Sequence, residues 1–438
     1  MNNGEQQSQG AAPDVRQLQD RLAGAFVRTD HAAEKLGPSV YDAEAIPERA
    51  REEVEAMLAT GDLFRYRGTA DSSVAKLERE FAEFMGVPFA LAVTSCSSAL
   101  FLSLKALDIR PGDRVLIPAF TFAAVPSAIV HAGGVPELVE VGDNYRIDVA
   151  DFERRLDGAR IVMISHMRGH TSDMDAIMRL CDARGIPVIE DAAHSLGTLW
   201  NGRKIGTIGK IGCFSFQSYK LMNAGEGGML ITDDADLFAR AVIMSGAYEH
   251  NWKQHAAAQE RFRFWQNKLP LYNMRLNNLS AAVVRPQLKE VPRRVRDGRA
   301  NHDYVAAILN ASQWFHVPPP LDPEARAPDS IQFNLRGFKS DEEAAAFQKA
   351  AGERGVSVQI FGLSEDNARA YWNWQFLGRD FDLPKTKRML MRACDVRLPA
   401  RLGKKELDLL VNAILGAAED VMKTNAQVPE RRSVRSVA

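Results

Sequence analysis

Short apolar runs alternate with helix-like patterns along most of this chain. Six runs read as strands: FALAVTS (89–95), RVLIPA (114–119), GVPELVEV (134–141), RIVMIS (160–165), IPVIED (186–191) and GGMLITD (227–233). Each except the last is followed by a helical or loop segment before the next, the signature of βαβ units and a mostly parallel sheet. SSALFLSLKAL (97–107) spaces its apolar residues for one helix face and opens on serines suited to capping. DMDAIMRLCDARG (173–185) behaves alike, with Asp173 at its start and Gly185 past its end. After residue 285 the pattern changes. RPQLKEVPRRVRDGRANHDYVAAIL (285–309) is strongly charged and helical in period, like a long exposed connector. Beyond it SIQFNLRGF, SDEEAAAFQKAAGERG and VSVQIFG read strand, helix, strand, and KKELDLLVNAILGAAEDVMK closes with an amphipathic helix. The expected fold class is α/β, with a mostly parallel, helix-flanked sheet over residues 41–290 and a smaller C-terminal α+β domain over 291–424. The polar ends, 1–40 and 425–438, read as flexible arms.

Bulk numbers remove several function classes. The 438 residues are 46% hydrophobic and 25% charged, ordinary for a globular chain with room for a large core. With 55 basic against 56 acidic side chains the net charge is −1, so no bulk field favours nucleic acid or an anionic membrane. Cys96, Cys181, Cys213 and Cys394 are scattered without C-x-x-C spacing, which argues against a disulfide framework and against a zinc site; no metal is expected. The first residues are polar, and no apolar run approaches the ~20 residues that span a bilayer, so a cytoplasmic protein is expected.

Three features carry chemistry. At TSCSSA (94–99) an apolar strand runs out into a helix start, where free amides and the helix dipole suit phosphate and the serines equally suit plain capping. At IPVIEDAAHS (186–195), Glu190 and Asp191 end an apolar strand, the edge at which open α/β sheets bind ligands. Alternation sends the two carboxylates to opposite faces, so only one can enter a given pocket. At GCFSFQSYKLMNAGEGGML (212–230), Lys220 follows an alternating aromatic strand and precedes a Gly-Glu-Gly-Gly turn. A lysine among apolar and small residues loses water, its pKa falls, and its amine becomes available for imine formation. The glycines there let backbone approach a ligand closely.

These segments, in order with GDLFRYRG (61–68), HMRGHTSDMDAI and YNMRLNNLSAAVVRPQL, resemble the DegT/DnrJ/EryC1/StrS sugar aminotransferases, within the fold type I enzymes that depend on pyridoxal 5'-phosphate (PLP). The resemblance implies that Lys220 carries the cofactor covalently and later moves a proton. It implies that Asp191 keeps the pyridine nitrogen protonated, that Phe122 stacks on the ring, and that His194 stands beside it. Cys96 and Ser97 match a pair whose amides bind the phosphate, and Ser215 matches a serine that also contacts it. Asn273 matches an asparagine that reaches the phosphate from the partner subunit of a homodimer with shared active sites. Tyr66, Arg67, Arg275 and Trp372 are candidates for substrate contact. Departures stand at Cys96, where the family has glycine, at Arg168 and His170, and in VQIFGLSEDNARAYWNWQF, where a His-Tyr-Pro segment is frequent.

The implied activity is transfer of an amino group from an amino acid to a keto-sugar, keto-cyclitol or similar small carbonyl acceptor in a biosynthetic pathway. One alternative keeps PLP but eliminates water and aromatises its substrate, as an aminohydroxybenzoate synthase does. Another is a Rossmann-type nucleotide-binding protein, which would need a G-x-G-x-x-G or P-loop that TSCSSA does not supply.

Overall fold

The structure is a computed structural model that describes residues 23–24, 42–67, 69–255 and 257–427. Most of the two expected arms lies outside the described residues, although the final helix continues beyond residue 424 to Gln427. The centre is a seven-stranded sheet formed by β1 (Phe89–Val93), β2 (Arg114–Pro118), β3 (Val135–Val139), β4 (Ile161–Ser165), β5 (Val188–Asp191), β6 (Ile211–Ser215) and β7 (Gly228–Thr232). Its spatial order is β1-β7-β6-β5-β4-β2-β3. The β2–β3, β2–β4, β4–β5 and β5–β6 pairs are parallel, whereas β7 runs antiparallel to both β1 and β6. The reversal has a local cause. Residues 216–227 between β6 and β7 hold no helix, so no crossover forms and the chain returns alongside itself.

Helices α1 (Ser73–Met85), α2 (Cys96–Ala106) and α3 (Met174–Asp182) belong to the layers that cover this sheet, and each starts on a side-chain cap. Ser72 accepts from the Ala75 amide, Ser95 from that of Ser98, and Asp173 from that of Ala176. On α3 the buried Met174, Ile177 and Cys181 repeat at helical spacing, as the pattern predicts. The aromatic alternation in β6 is explained by α1. Phe214 and the following Phe216 point to one face, where both meet Phe81 edge to face at centroid distances of 5.3 and 5.8 Å. Ser215 points the other way, toward the cleft described below.

The chain then enters α4 (Val291–Ala311), which is not the exposed connector its charges predict. Arg293 and Arg296 are solvated, but Val305, Ile308 and Leu309 are buried, and Arg294 is only 2% exposed. Its guanidinium donates to the Leu221 carbonyl at 2.6 Å and to Gln287 Oε1 at 3.1 Å, so burial follows from hydrogen bonds that a charge count does not reveal. Beyond α4, β8 (Phe315–His316), β9 (Ser330–Leu335), β10 (Gln359–Ile360) and β11 (Ala393–Arg397) form an antiparallel sheet in the order β8-β9-β11-β10. Helices α5 (Asp341–Glu353) and α6 (Lys404–Gln427) pack beside it around a core that includes Phe315, Phe333 and Phe347. The VSVQIFG run contributes only two strand residues, although Val356 and Val358 are still buried. No helix among the described residues is long and apolar enough to cross a membrane. All four cysteines are free and buried.

Candidate active site

A cleft of about 740 Å³ opens where the carboxyl ends of β4, β5 and β6 meet the four-stranded sheet. Its walls bring together Cys96, Ser97, Phe122, Asp191, His194, Ser215 and Lys220, residues that span most of the larger sheet's sequence. The two adjacent carboxylates separate as alternation requires. Glu190 turns away from the cleft, where it meets His166 Nε2 at 3.1 Å and accepts from the amides of Gly206, Ile208 and Gly209 at 2.8, 2.6 and 2.6 Å. Burial raises its pKa, but the His166 and amide hydrogen bonds outweigh it and hold the carboxyl below its ordinary range. Asp191 faces the cleft. Its Oδ2 accepts from Ser165 Oγ at 2.8 Å and its Oδ1 from the Ala193 amide at 3.1 Å, with Cys96 Sγ at 3.7 Å.

Lys220 lies on the loop between β6 and β7, half-buried, with Nζ 2.8 Å from His194 Nε2. Among the described residues no carboxylate lies within ion-pair distance of this amine. Loss of water lowers its pKa to about 8, with Arg168 adding to the fall and Asp329 opposing it. His194 is pushed well below its ordinary value by burial first, then by Lys220, Arg168, Arg369 and Arg397, so the imidazole is neutral at physiological pH.

The start of α2 is shaped by Gly228. A Cβ there would come within 2.4 Å of the Ser95 carbonyl carbon and 2.6 Å of the Cys96 amide nitrogen. The glycine therefore lets one strand pass under the strand-to-helix turn, a chain-to-chain approach rather than the ligand approach expected of it. Gly225, at φ +76°, serves the turn itself.

Other sequence candidates lie elsewhere on this chain. Tyr66 is buried with its hydroxyl 3.1 Å from His255 Nε2, and Arg67 is exposed and paired with Asp62. Arg275 donates to the Gly246 carbonyl at 2.8 Å, and Asn273 is exposed outside the cleft. Trp372 and Trp374 line a separate hollow with Tyr371, in a segment that forms two short 3-10 turns. Groups not singled out from the sequence include Ser165 behind Asp191, and Arg369 and Arg397 on the wall of the cleft from the C-terminal domain.

The donor set fits a pyridoxal phosphate cofactor. A lysine amine with no counter-ion among the described residues and a buried, hydrogen-bonded carboxylate share one cleft, and a capped helix start with backbone amides forms part of its rim. With one reversed strand in a seven-stranded sheet, fold and cleft are those of a fold type I PLP-dependent transferase. The family model described as DegT/DnrJ/EryC1/StrS aminotransferase matches residues 44–415, and the chain belongs to that family. It is 28% identical over 351 residues to the spore coat polysaccharide biosynthesis protein SpsC of Bacillus subtilis, covering 78% of this chain and 88% of that protein. It is 35% identical over 227 residues to a UDP-N-acetyl-3-dehydro-alpha-D-glucosamine 3-aminotransferase of Acidithiobacillus ferrooxidans, covering 51% and 58%. The crystal structure of 3-amino-5-hydroxybenzoic acid synthase superposes with a TM-score of 0.75 at 26% identity, over 86% of this chain and 100% of that one. The nucleotide-binding alternative falls with these findings.

Proposed function

We propose that this chain moves an amino group from an amino acid donor to the carbonyl of a keto-sugar, keto-cyclitol or similar small acceptor. The observation that carries this reading is the Lys220 amine, unpaired with any carboxylate among the described residues and lining one cleft with Asp191. When bound, PLP supplies an electron sink and a carbon that can carry nitrogen from donor to acceptor. In this proposal Lys220 holds the cofactor and Asp191 faces its ring nitrogen. Phe122 covers the ring, while the Cys96 and Ser97 amides and Ser215 take the phosphate. Ser165 orients Asp191 through its hydrogen bond at 2.8 Å. Burial that lowers the Lys220 pKa favours the neutral amine, the form able to take up a proton from the substrate carbon and return it nearby. Neutral His194 stays beside that amine as a hydrogen-bond partner without adding a second cation.

The proposal extends to a homodimer in the cytoplasm, in which Asn273 reaches the phosphate of the partner's site; its exposure outside its own cleft supports this. Residues 41–290 form the cofactor domain and 291–424 the small domain. The acceptor reading draws on the Acidithiobacillus relative, whose name states amino transfer to a keto-sugar. A second reading, an aromatising lyase, draws on the likeness to aminohydroxybenzoate synthase. The test loads purified protein with PLP and adds glutamate or glutamine alone. Accumulation of pyridoxamine phosphate supports transfer; no conversion with any amino acid, beside release of an aromatic product from a cyclic keto acid, supports the lyase.

A further inference from the structure

Residues 216–227, which carry Lys220 from β6 to β7, hold no helix, so the place of the amine depends on what ties this loop down. Ahead of the lysine the loop ties itself. Lys220 N donates to the Gln217 carbonyl at 2.8 Å, and Tyr219 N donates to Gln217 Oε1 at 3.0 Å. Behind it, no backbone–backbone hydrogen bond reaches Leu221, Met222 or Asn223 among the described residues. Two side chains distant in sequence take their place. Gln287, in the 3-10 turn Arg285–Glu290, pairs with both main-chain groups of Asn223: its Oε1 accepts from the amide at 3.0 Å and its Nε2 donates to the carbonyl at 2.6 Å. Its other N–H goes to the Val283 carbonyl at 3.0 Å and its other lone pair accepts from Arg294 Nη1 at 3.1 Å, so the carboxamide has no capacity left. The same Arg294 Nη1 donates to the Leu221 carbonyl at 2.6 Å. Both side chains are buried, and no carboxylate lies within ion-pair distance of Arg294 among the described residues. Burial lowers its pKa, with Glu44 opposing the fall. Its Nη2 reaches the Ala45 carbonyl only at 3.5 Å, and its Nε has no hydrogen-bond partner. A guanidinium without an ion pair is costly to bury. The short bonds that offset this cost run to the chain behind Lys220 and to the glutamine that holds the same stretch.

We propose that Gln287 and Arg294 are positioning residues, which together fix Leu221 and Asn223 and so hold the Lys220 amine where the cofactor meets it. Both stand where the chain leaves the larger sheet for α4, so the connector between the two domains, and not the sheet alone, locates the amine. The rest of the cleft has its own supports. Asp191 is held by Ser165 and the Ala193 amide, and the start of α2 by its Ser95 cap, contacts in which neither Gln287 nor Arg294 takes part. Loss of the pair therefore acts on the bond to the lysine and spares the ring and phosphate contacts. This rests on reading Lys220 as the cofactor lysine.

The test compares the affinity of the full-length, cofactor-free protein for two ligands by calorimetry. PLP joins Lys220, its aldehyde carbon forming a C=N bond to Nζ as water leaves. Pyridoxamine phosphate shares the ring and the phosphate but has no aldehyde, so it binds without the lysine. Arg294→Met and Gln287→Leu should each raise the Kd of PLP by about tenfold or more and change that of pyridoxamine phosphate by less than about twofold. Arg294→Lys keeps a donor for the Leu221 carbonyl but not the fixed fork that also serves Gln287, and should recover part of the PLP affinity. Circular dichroism checks that each variant is folded. Should Arg294→Met not fold, Gln287→Leu, which leaves the Arg294 bond to Leu221 in place, carries the same comparison. Equal weakening of the two ligands overturns the proposal, because a merely structural pair would affect both, and so does unchanged affinity for PLP. Failure of the underlying reading looks different, since Lys220→Ala then binds PLP as tightly as the parent.

Discussion

Gly228 opens β7, where it pairs with Val93 on one side and Ser215 on the other. A methyl group at this position would stand 2.4 Å from the Ser95 carbonyl carbon, 2.5 Å from its oxygen and 2.6 Å from the Cys96 nitrogen. All three atoms are backbone, and β7 is tied by hydrogen bonds on both flanks, so neither partner yields cheaply. Gly228→Ala should therefore sit at the upper end of overpacking, at about 3 kcal/mol or more. At ~2 °C per kcal/mol for a large domain, Tm followed by circular dichroism should fall by roughly 6 °C or more. The displaced atoms begin α2, so the Kd for PLP should also rise by about tenfold or more. Gly225→Ala is the control: its φ is +76° but nothing lies within 4 Å of the added methyl. It should cost only backbone strain, about 1 kcal/mol, with little change in PLP affinity. A Gly228→Ala protein within about 2 °C of the parent, with an unchanged Kd, would refute the close-approach argument.

Neighbouring carboxylates should respond in opposite ways. Glu190→Gln leaves an amide among three backbone donors and should lower the unfolding free energy by about 2–4 kcal/mol, while Asp191→Asn should spare stability and cut kcat by about 10²-fold or more; urea titration and steady-state rates separate the two, and equal loss of stability in both would contradict the assigned orientations. For Lys220 the folded pKa of about 8 lies below the unfolded value, so the unfolded chain binds the extra proton between about pH 8 and 10 and the cofactor-free protein gains stability as pH rises through that window. Lys220→Met removes this slope, and any stability it gains over the parent near pH 7 should shrink by pH 10; a constant difference in denaturant midpoint would show that the amine is not desolvated.

How much of this was legible before the fold is seen differs by residue. The strands of the larger sheet stood out because each is an apolar run bounded by turns, and Phe214, Ser215 and Phe216 showed their alternation directly. Alternation separates Glu190 from Asp191 without saying which face is which; only the resemblance singled out Asp191, and in the fold the loop amides of Gly206, Ile208 and Gly209 take Glu190 away from the cleft. Helix α4 misled because its first half concentrates charge at Arg293, Arg294, Arg296, Asp297 and Arg299, although Arg294 is buried on carbonyl and amide oxygens. Arg369 and Arg397 carry no local signal at all. They reach the cleft only because β11 and the segment before Tyr371 fold against the carboxyl ends of the larger sheet, a contact between distant parts of the chain. Trp372, a candidate for substrate contact, lines a separate hollow instead.

The central claim is that PLP is held on Lys220 and on no other lysine. Borohydride reduction of the PLP-loaded protein fixes the cofactor to whichever amine carries it, and peptide mass spectrometry then locates the added pyridoxyl phosphate. The result expected is one modified peptide, containing Lys220, with no label at that site in the Lys220→Ala protein. Label confined to another lysine, such as Lys204 or Lys210, or full labelling that survives the substitution, would contradict the account.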